Sequence, residues 1–317
     1  MQLRAFQNKD LPTICEIWRG HGTLRGKFQG MNPGLLEQMI LSKPYFDPAG
    51  FLLLFEDKCP VGFVHASFGR ANGHNALDKS RGVISQLQVI DSAKEQEYAG
   101  VLLAEALDYL RSQGATTAEV GGHFPDSPFY NGLYGGSRSI GILQDDHRVP
   151  LWLQNNGFQK GPAIQIRHWN LCDFRPLMDR QQLMIGRSFL IEAQLDPIPN
   201  NWCDACNFGI SSKIGFCLRD RKSSQVVGTL TYWDMEPLVR NWGCNGMGLI
   251  ELWVTPDLRK KGIATYMVGE SLRQLKQQGV SMVEIQHPEN DLAMQPLCDK
   301  LGFQTIDTAY TFQRPLD

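Results

Sequence analysis

Arg259-Lys260-Lys261-Gly262-Ile263-Ala264 places three cations and one glycine directly ahead of a helical pattern. Before it runs Leu249-Ile-Glu-Leu-Trp-Val254, a short apolar segment that Thr255-Pro256 ends, because proline cannot continue a central strand. After it, Ile263, Met267, Val268, Leu272 and Leu275 fall at helical spacing, and Gly279 closes the helix. A strand, a basic turn and a helix start suit an anion. The first helical N–H groups have no acceptor within the helix, and the helix dipole adds partial positive charge there. Gly262 lets the backbone approach a ligand closely. The chemistry predicted from these residues alone is phosphate or pyrophosphate binding, with a solvated basic turn as the alternative.

The order of residues narrows this. Val254-x-Pro256-x-x-Arg259-x-x-Gly262-Ile263-Ala264 resembles the acetyl-CoA signature of the GNAT acetyltransferase superfamily, whose core is Arg/Gln-x-x-Gly-x-Gly/Ala. The resemblance implies that acetyl-CoA is the co-substrate. It implies that Arg259, Lys260, Lys261, Gly262, Ile263, Ala264 and Thr265 wrap its pyrophosphate. Backbone at Leu252, Trp253 and Val254 then pairs with pantetheine, and one of those N–H groups serves the oxyanion. A second segment, Asn290-Asp-Leu-Ala293 followed by Leu297-Cys298-Asp-Lys-Leu-Gly302-Phe303, resembles the family's Asn-x-x-Ala…Leu-Tyr-x-Lys-x-Gly-Phe. Asn290 is therefore placed with the cofactor-binding residues. Cys298 falls where the family carries the tyrosine that protonates the departing thiolate. It is either a substitute acid or a small apolar filler.

Acyl transfer to an amine also needs a proton acceptor. Glu251 lies on the strand beside the expected groove, on the same side as Trp253 and opposite Leu252 and Val254. It is the candidate base; a carboxylate satisfied within the sheet is the alternative.

The elements that position these residues occur twice. Phe51–Phe55 and Val61–Ala66 read as a hairpin, as do Gly215–Leu218 and Val226–Thr231. With Val89 aligned under Val254, Ala99 falls under Ala264, and Glu105/Glu270, Leu107/Leu272, Leu110/Leu275, Gln113/Gln278, Gly114/Gly279 and Glu119/Glu284 are identical pairs. Agreement on the apolar face and at the glycine stop argues for a duplicated fold. The first copy departs where the chemistry lies: Lys94 replaces Arg259, Glu97 replaces Gly262 and Gln86 replaces Glu251. A carboxylate at 97 repels a pyrophosphate, so the first copy is expected to have lost or weakened CoA binding. It also carries about 20 extra residues within 121–141, rich in glycine and aromatics. That stretch is either an acceptor wall, with His123, Tyr130, Tyr134, Ser137 and Arg138 as its polar groups, or a self-packed loop. Two further loops carry polar groups: the first touches a ligand or is a solvated connection, and the second borders the expected acceptor mouth as recognition groups or as a rim. One holds Arg19, His21, Arg25 and Lys27; the other holds Trp233, Asp234, Glu236, Arg240 and Trp242. A helix is predicted over 180–194.

The 317 residues suffice for two domains, placed at 1–171 and 172–317. A net charge of −2 supplies no field for nucleic acid, and no apolar run reaches the roughly 20 residues of a membrane helix. The eight cysteines follow no disulfide spacing, and Cys203-Asp-Ala-Cys206 stands alone without a second pair, so no metal site is expected. These features point to a cytoplasmic protein with reduced thiols. The expected architecture is two tandem GNAT-like folds of mixed α/β type. The expected activity is acetyl-CoA-dependent N-acetyl transfer to a small-molecule or peptide amine, with the second copy active. The alternative is a non-catalytic acyl-CoA-binding or regulatory protein.

Overall fold

The computed structural model describes residues 1–20, 28–121, 127–133, 136–235 and 242–316. His21, Arg25, Lys27, His123, Tyr134, Glu236 and Arg240, singled out above, lie outside the described residues.

The chain forms two compact units, each holding segments from both sequence copies. The first comprises 1–163, 200–207 and 309–317; the second comprises 164–199 and 208–308. The boundary expected at 171/172 treats each copy as contiguous. The contacts instead divide the chain at 163/164, return 200–207 to the first unit, and give it the chain's last nine residues.

The first copy runs β1 (Gln2–Ala5), α1 (Leu11–Arg19), α2 (Pro33–Leu36), β2 (Phe51–Glu56), β3 (Cys59–Arg70) and β4 (Leu77–Val89). It continues through α3 (Glu95–Ser112), β5 (Thr117–Val120), β6 (Ile142–Leu143), α4 (Arg148–Asn155) and β7 (Gln159–Asn170). The second copy has α5 (Arg180–Ser188), β8 (Phe189–Leu195), α6 (Trp202–Phe208), β9 (Lys213–Asp220), β10 (Val226–Asp234) and β11 (Gly246–Val254). It ends with α7 (Ile263–Gln277), β12 (Met282–Pro288), α8 (Met294–Leu301) and β13 (Gln304–Pro315).

Within the first unit β1 to β5 lie side by side in chain order, and residues 312–315 of β13 pair antiparallel with β5. Within the second, β8, β9, β10, β11 and β12 lie in the same order, and residues 164–170 of β7 pair antiparallel with β12. Each copy thus donates its last strand to complete the other copy's sheet. The two donated strands enter alike: Leu171 N–H donates to Ser281 O at 2.8 Å, and Leu316 N–H to Thr116 O at 2.8 Å.

The helix periodicities hold. Ile263, Met267, Val268, Leu272 and Leu275 are all buried in the second core, while α3 buries Leu102, Leu103, Ala106, Leu107 and Leu110 in the first core. The helix expected over 180–194 ends earlier. From Phe189 to Leu195 every residue pairs with β9, so the six residues 189–194 read as helix belong to an edge strand. Phe189 and Ile191 alternate onto the core, and Gly186, a poor helix former, precedes the switch.

In the extra stretch of the first copy, Ser127, Phe129, Tyr130, Asn131, Ser137 and Ser139 are buried. Ser139 Oγ donates to Phe129 O at 2.9 Å, and Tyr130 Oη lies 2.9 Å from His65 Nδ1. The described part is a loop packed on its own unit. Burial lowers the His65 pKa to about 3, so the ring is neutral. All eight cysteines are free thiols, and the described residues contain no cluster of three or more His, Cys, Asp or Glu suited to a metal. No described helix is long and apolar enough to cross a membrane.

Candidate functional site: a splayed strand pair and a left-handed loop

Two parallel strands part in the second unit. β11 pairs with β12 only from Gly246/Met282 to Gly248/Glu284. β11 then continues to Val254 and β12 to Pro288, so the flank of β11 facing β12 has no β12 partner beyond Gly248. Strand backbone released from its neighbour at a splay can pair with an extended amide-bearing chain.

A bulge sits where they part. Opposite Thr231 and Tyr232 of β10 stand Glu251 and Leu249, which leaves Ile250 as the extra residue. The bulge changes the alternation. Met247 and Leu249 face the core before it, and Leu252 and Val254 face the core after it. Glu251 and Trp253 therefore turn to the opposite face. Glu251 is half-buried and Trp253 is 41% exposed. The first unit repeats the device: β3 and β4 shift register between His65 and Ala66, opposite Gln86 and Ile84, leaving Ser85 extra. Ser85 is the counterpart of Ile250 in the sequence alignment of the two copies.

The loop after β11 differs between copies. Lys260 and Gly262 adopt left-handed φ of +59° and +79°. Left-handed residues turn neighbouring N–H groups into one concavity, an arrangement that receives anions. Gly262 is the N-cap of α7 and no side chain caps the helix. The first helical bond is Tyr266 N–H to Gly262 O at 3.0 Å, so the amides of Ile263, Ala264 and Thr265 have no acceptor within the helix. Arg259 Nε donates to Val254 O at 2.9 Å, which ties the loop to the strand end. Gln181 of α5 covers the glycine: its carboxamide lies 2.9–3.1 Å from where a Cβ on Gly262 would sit, and its Nε2 donates to Lys261 O at 3.2 Å. The backbone face of Gly262 is thus a cradle that a side chain of its own would fill.

In the first copy no residue from 90 to 97 is left-handed. Helix α3 starts at Glu95, with Glu95 and Glu97 in its first turn. Lys94, at the place of Arg259, is ion-paired to Glu56 at 2.8 Å instead of bonding the strand end.

The structure brings Leu252, Trp253, Val254 and Arg259 to Thr265 together at one end of β11, with Glu251 on the face away from α7. Asn290 is exposed beyond the end of β12. Cys298 is separate from these. It has no exposed surface, packs in the second core, and burial pushes its thiol up to about 12. A buried side chain two bonds long offers no surface to a ligand sulfur, so the geometry matches an apolar filler. Sequence reasoning passed over two residues. Glu284, the last residue of β12 that pairs with β11, has no exposed surface; its Oε2 lies 2.8 Å from His168 Nε2, and its Oε1 accepts from Gln286 Nε2 at 2.7 Å. Glu284 was visible only as one identity of the repeat. Its partner lies on a strand assigned to the other copy, and no sequence spacing connects the two.

Residues 173–303 match the model of the acetyltransferase (GNAT) family. No curated protein matches the chain. Among solved structures it is similar to the GCN5-related glucosamine N-acetyltransferase region of a fungal multi-domain GH3 β-N-acetylglucosaminidase, with 14% identity and a TM-score of 0.71. That match covers 99% of this chain, which spans 38% of the other's length. It is also similar to a tandem GNAT protein from the clavulanic acid biosynthesis pathway, with 11% identity, a TM-score of 0.64, and 100% and 98% of the two chains covered. A GCN5-related N-acetyltransferase from Sphaerobacter thermophilus gives 11% identity and a TM-score of 0.60, covering 99% and 95%. At these identities the likeness speaks for the fold. The chain therefore has the fold of tandem GNAT proteins, and its residues 173–303 carry the match to the acetyltransferase (GNAT) family model.

Proposed function

We propose that the protein is an acetyl-CoA-dependent N-acetyltransferase whose second unit is active and whose first unit no longer binds the donor. The observation that carries this is the coincidence, in the second unit alone, of strand splay with the left-handed Lys260–Gly262 turn ahead of an uncapped helix.

The residues fit the donor. The amides of Gly262 to Thr265 and the cations Lys260 and Lys261 face a diphosphate. The flank of β11 from Leu252 to Val254, beyond its pairing with β12, pairs with the amides of a pantetheine arm. The donor supplies an acyl thioester: an amine nitrogen bonds to the acyl carbon as the carbon–sulfur bond breaks, and thiolate leaves. A β11 N–H near the bulge is the group that steadies the developing oxyanion, since a fixed backbone donor needs no rearrangement. Glu251, on the face away from α7, attracts the acceptor's ammonium to that face. Cys298, being enclosed, leaves the thiolate to take its proton from solvent or from a group on that same face.

Thiol release from acetyl-CoA across a panel of primary amines tests the reading. Amine-dependent release, abolished by Gly262→Glu, is expected. The enclosed Cys298 favours a second reading, a module that binds acyl-CoA without turning it over. Tight CoA binding with flat thiol release would support that one.

A further inference from the structure

We infer that His168 is the group that takes the proton from the acceptor amine, and that Glu284 is its positioning residue. The inference rests on the acyltransfer reading above.

Placement comes first. Val283 and Ile285 of β12 pack in the core under α7, so Glu284 and Gln286 point to the other face. His168 is the registered partner of Glu284 across the antiparallel β7–β12 pair, and directly opposed residues share a face. Glu251 and Trp253 also point to that face from β11. Glu284 is itself the residue at which β11 and β12 part. Glu284 therefore stands at the fork of the splay, and His168 lies one strand further from β11, on the face where Glu251 lies.

Chemistry comes second. A carboxylate with no exposed surface is costly unless both oxygens are engaged. Gln286 serves one oxygen, and the imidazole serves the other. The tautomer this role requires has Nε2 donating to the carboxylate and Nδ1 keeping its lone pair. The His168 side chain keeps 18% of its surface exposed and its ring packs 5.1 Å from that of Trp242. A partly exposed imidazole oriented by an enclosed carboxylate is the arrangement of a general base. The ammonium proton passes to Nδ1, and Glu284 stabilises the resulting imidazolium. The freed amine attacks the acyl carbon, the carbon–sulfur bond breaks, and the imidazolium or solvent returns a proton to the thiolate.

The first unit supplies an internal control. Glu119 is the counterpart of Glu284, and β13 takes the role that β7 plays in the second unit. The registered partner of Glu119 is Gln313, which donates through Nε2 at 3.2 Å. A glutamine cannot accept an ammonium proton at neutral pH. The unit without the left-handed loop also lacks the imidazole, so both features occur together in the second unit.

The test uses the full chain, CoA in calorimetry, and thiol release from acetyl-CoA with the best amine of a primary-amine panel. His168→Gln should bind CoA as wild type does. Its kcat/KM for the amine should fall about 100-fold or more, with loss of the acid limb of the pH profile. Glu284→Gln, an isostere, should fall less and shift that limb, and melting temperatures verify that both variants fold. Turnover within threefold of wild type and an intact acid limb in His168→Gln would overturn the assignment. So would Glu251→Gln removing the limb while His168→Gln keeps it. CoA binding with no thiol release by the wild type sinks the assignment along with turnover. Absent CoA binding sinks the acyltransfer reading itself.

Discussion

Replacing Gly262 by alanine probes the loop most sharply. At φ +79° an alanine takes on a left-handed backbone cost of roughly 1–2 kcal/mol. Its Cβ would lie 2.9 Å from Gln181 Cδ, but Gln181 is an exposed, flexible side chain and swings aside. The fold therefore survives with a small loss. Binding suffers for a different reason: the methyl group stands on the backbone face that a diphosphate must approach. Losing about one charge-assisted hydrogen bond there corresponds to roughly 1.5–3 kcal/mol, or roughly 10- to 150-fold in Kd. Gly279→Ala is the matched control. It lies at the other end of the same helix at φ +85°, with no atom within 4 Å of its would-be Cβ. Both variants should melt roughly 2–8 °C lower. Calorimetry with CoA should show the affinity loss in Gly262→Ala alone. Equal affinity in the two variants, in either direction, would refute the placement of the diphosphate.

Three other outcomes are expected. Glu251→Gln should raise the acceptor KM, because a carboxylate that draws an ammonium is gone, while CoA affinity stays within twofold or so; a weakened CoA affinity would instead place Glu251 in the donor groove. Cys298→Ala should cost about 1 kcal/mol of stability through a small cavity and leave kcat within a few-fold; a hundredfold drop in kcat would restore it as an acid. His65, ordinarily near 6.5, is held at about 3 by burial, so the unfolded chain takes up a proton first as pH falls. Its contribution is complete above the ordinary value and is lost between about pH 6.5 and 3, at no more than about 1.4 kcal/mol per pH unit. Denaturant melts across that range should show this slope, and His65→Phe should remove one proton's worth of it.

Much of the fold was legible because both copies obey simple periodicities. The core faces of α3 and α7, the two hairpins and the glycine stops follow from spacing alone. The strand, basic turn and helix start around Gly262 were legible from the order of residues, but the left-handed turn was not, because Lys260 adopts it without being a glycine. Three features were hidden. Residues 189–195 carry apolar residues that suit helix or strand, and pairing with β9, a tertiary fact, decides between them. The exchange of last strands joins residues far apart in sequence, so neither the unit boundaries nor the His168–Glu284 pair could be read locally. The bulge at Ile250 has no residue signature, yet it turns Glu251 away from the core. At position 298 the motif gave a place but the residue type changed the chemistry, and burial decided in favour of packing.

A crystal structure of the full chain with acetyl-CoA bears most directly on the central claim. The expected result is diphosphate oxygens about 3 Å from the amide nitrogens of Gly262 to Ala264, with the pantetheine arm along β11 beyond Gly248. Donor ordered in the first unit, or against any other surface while that loop stays bare, would contradict it.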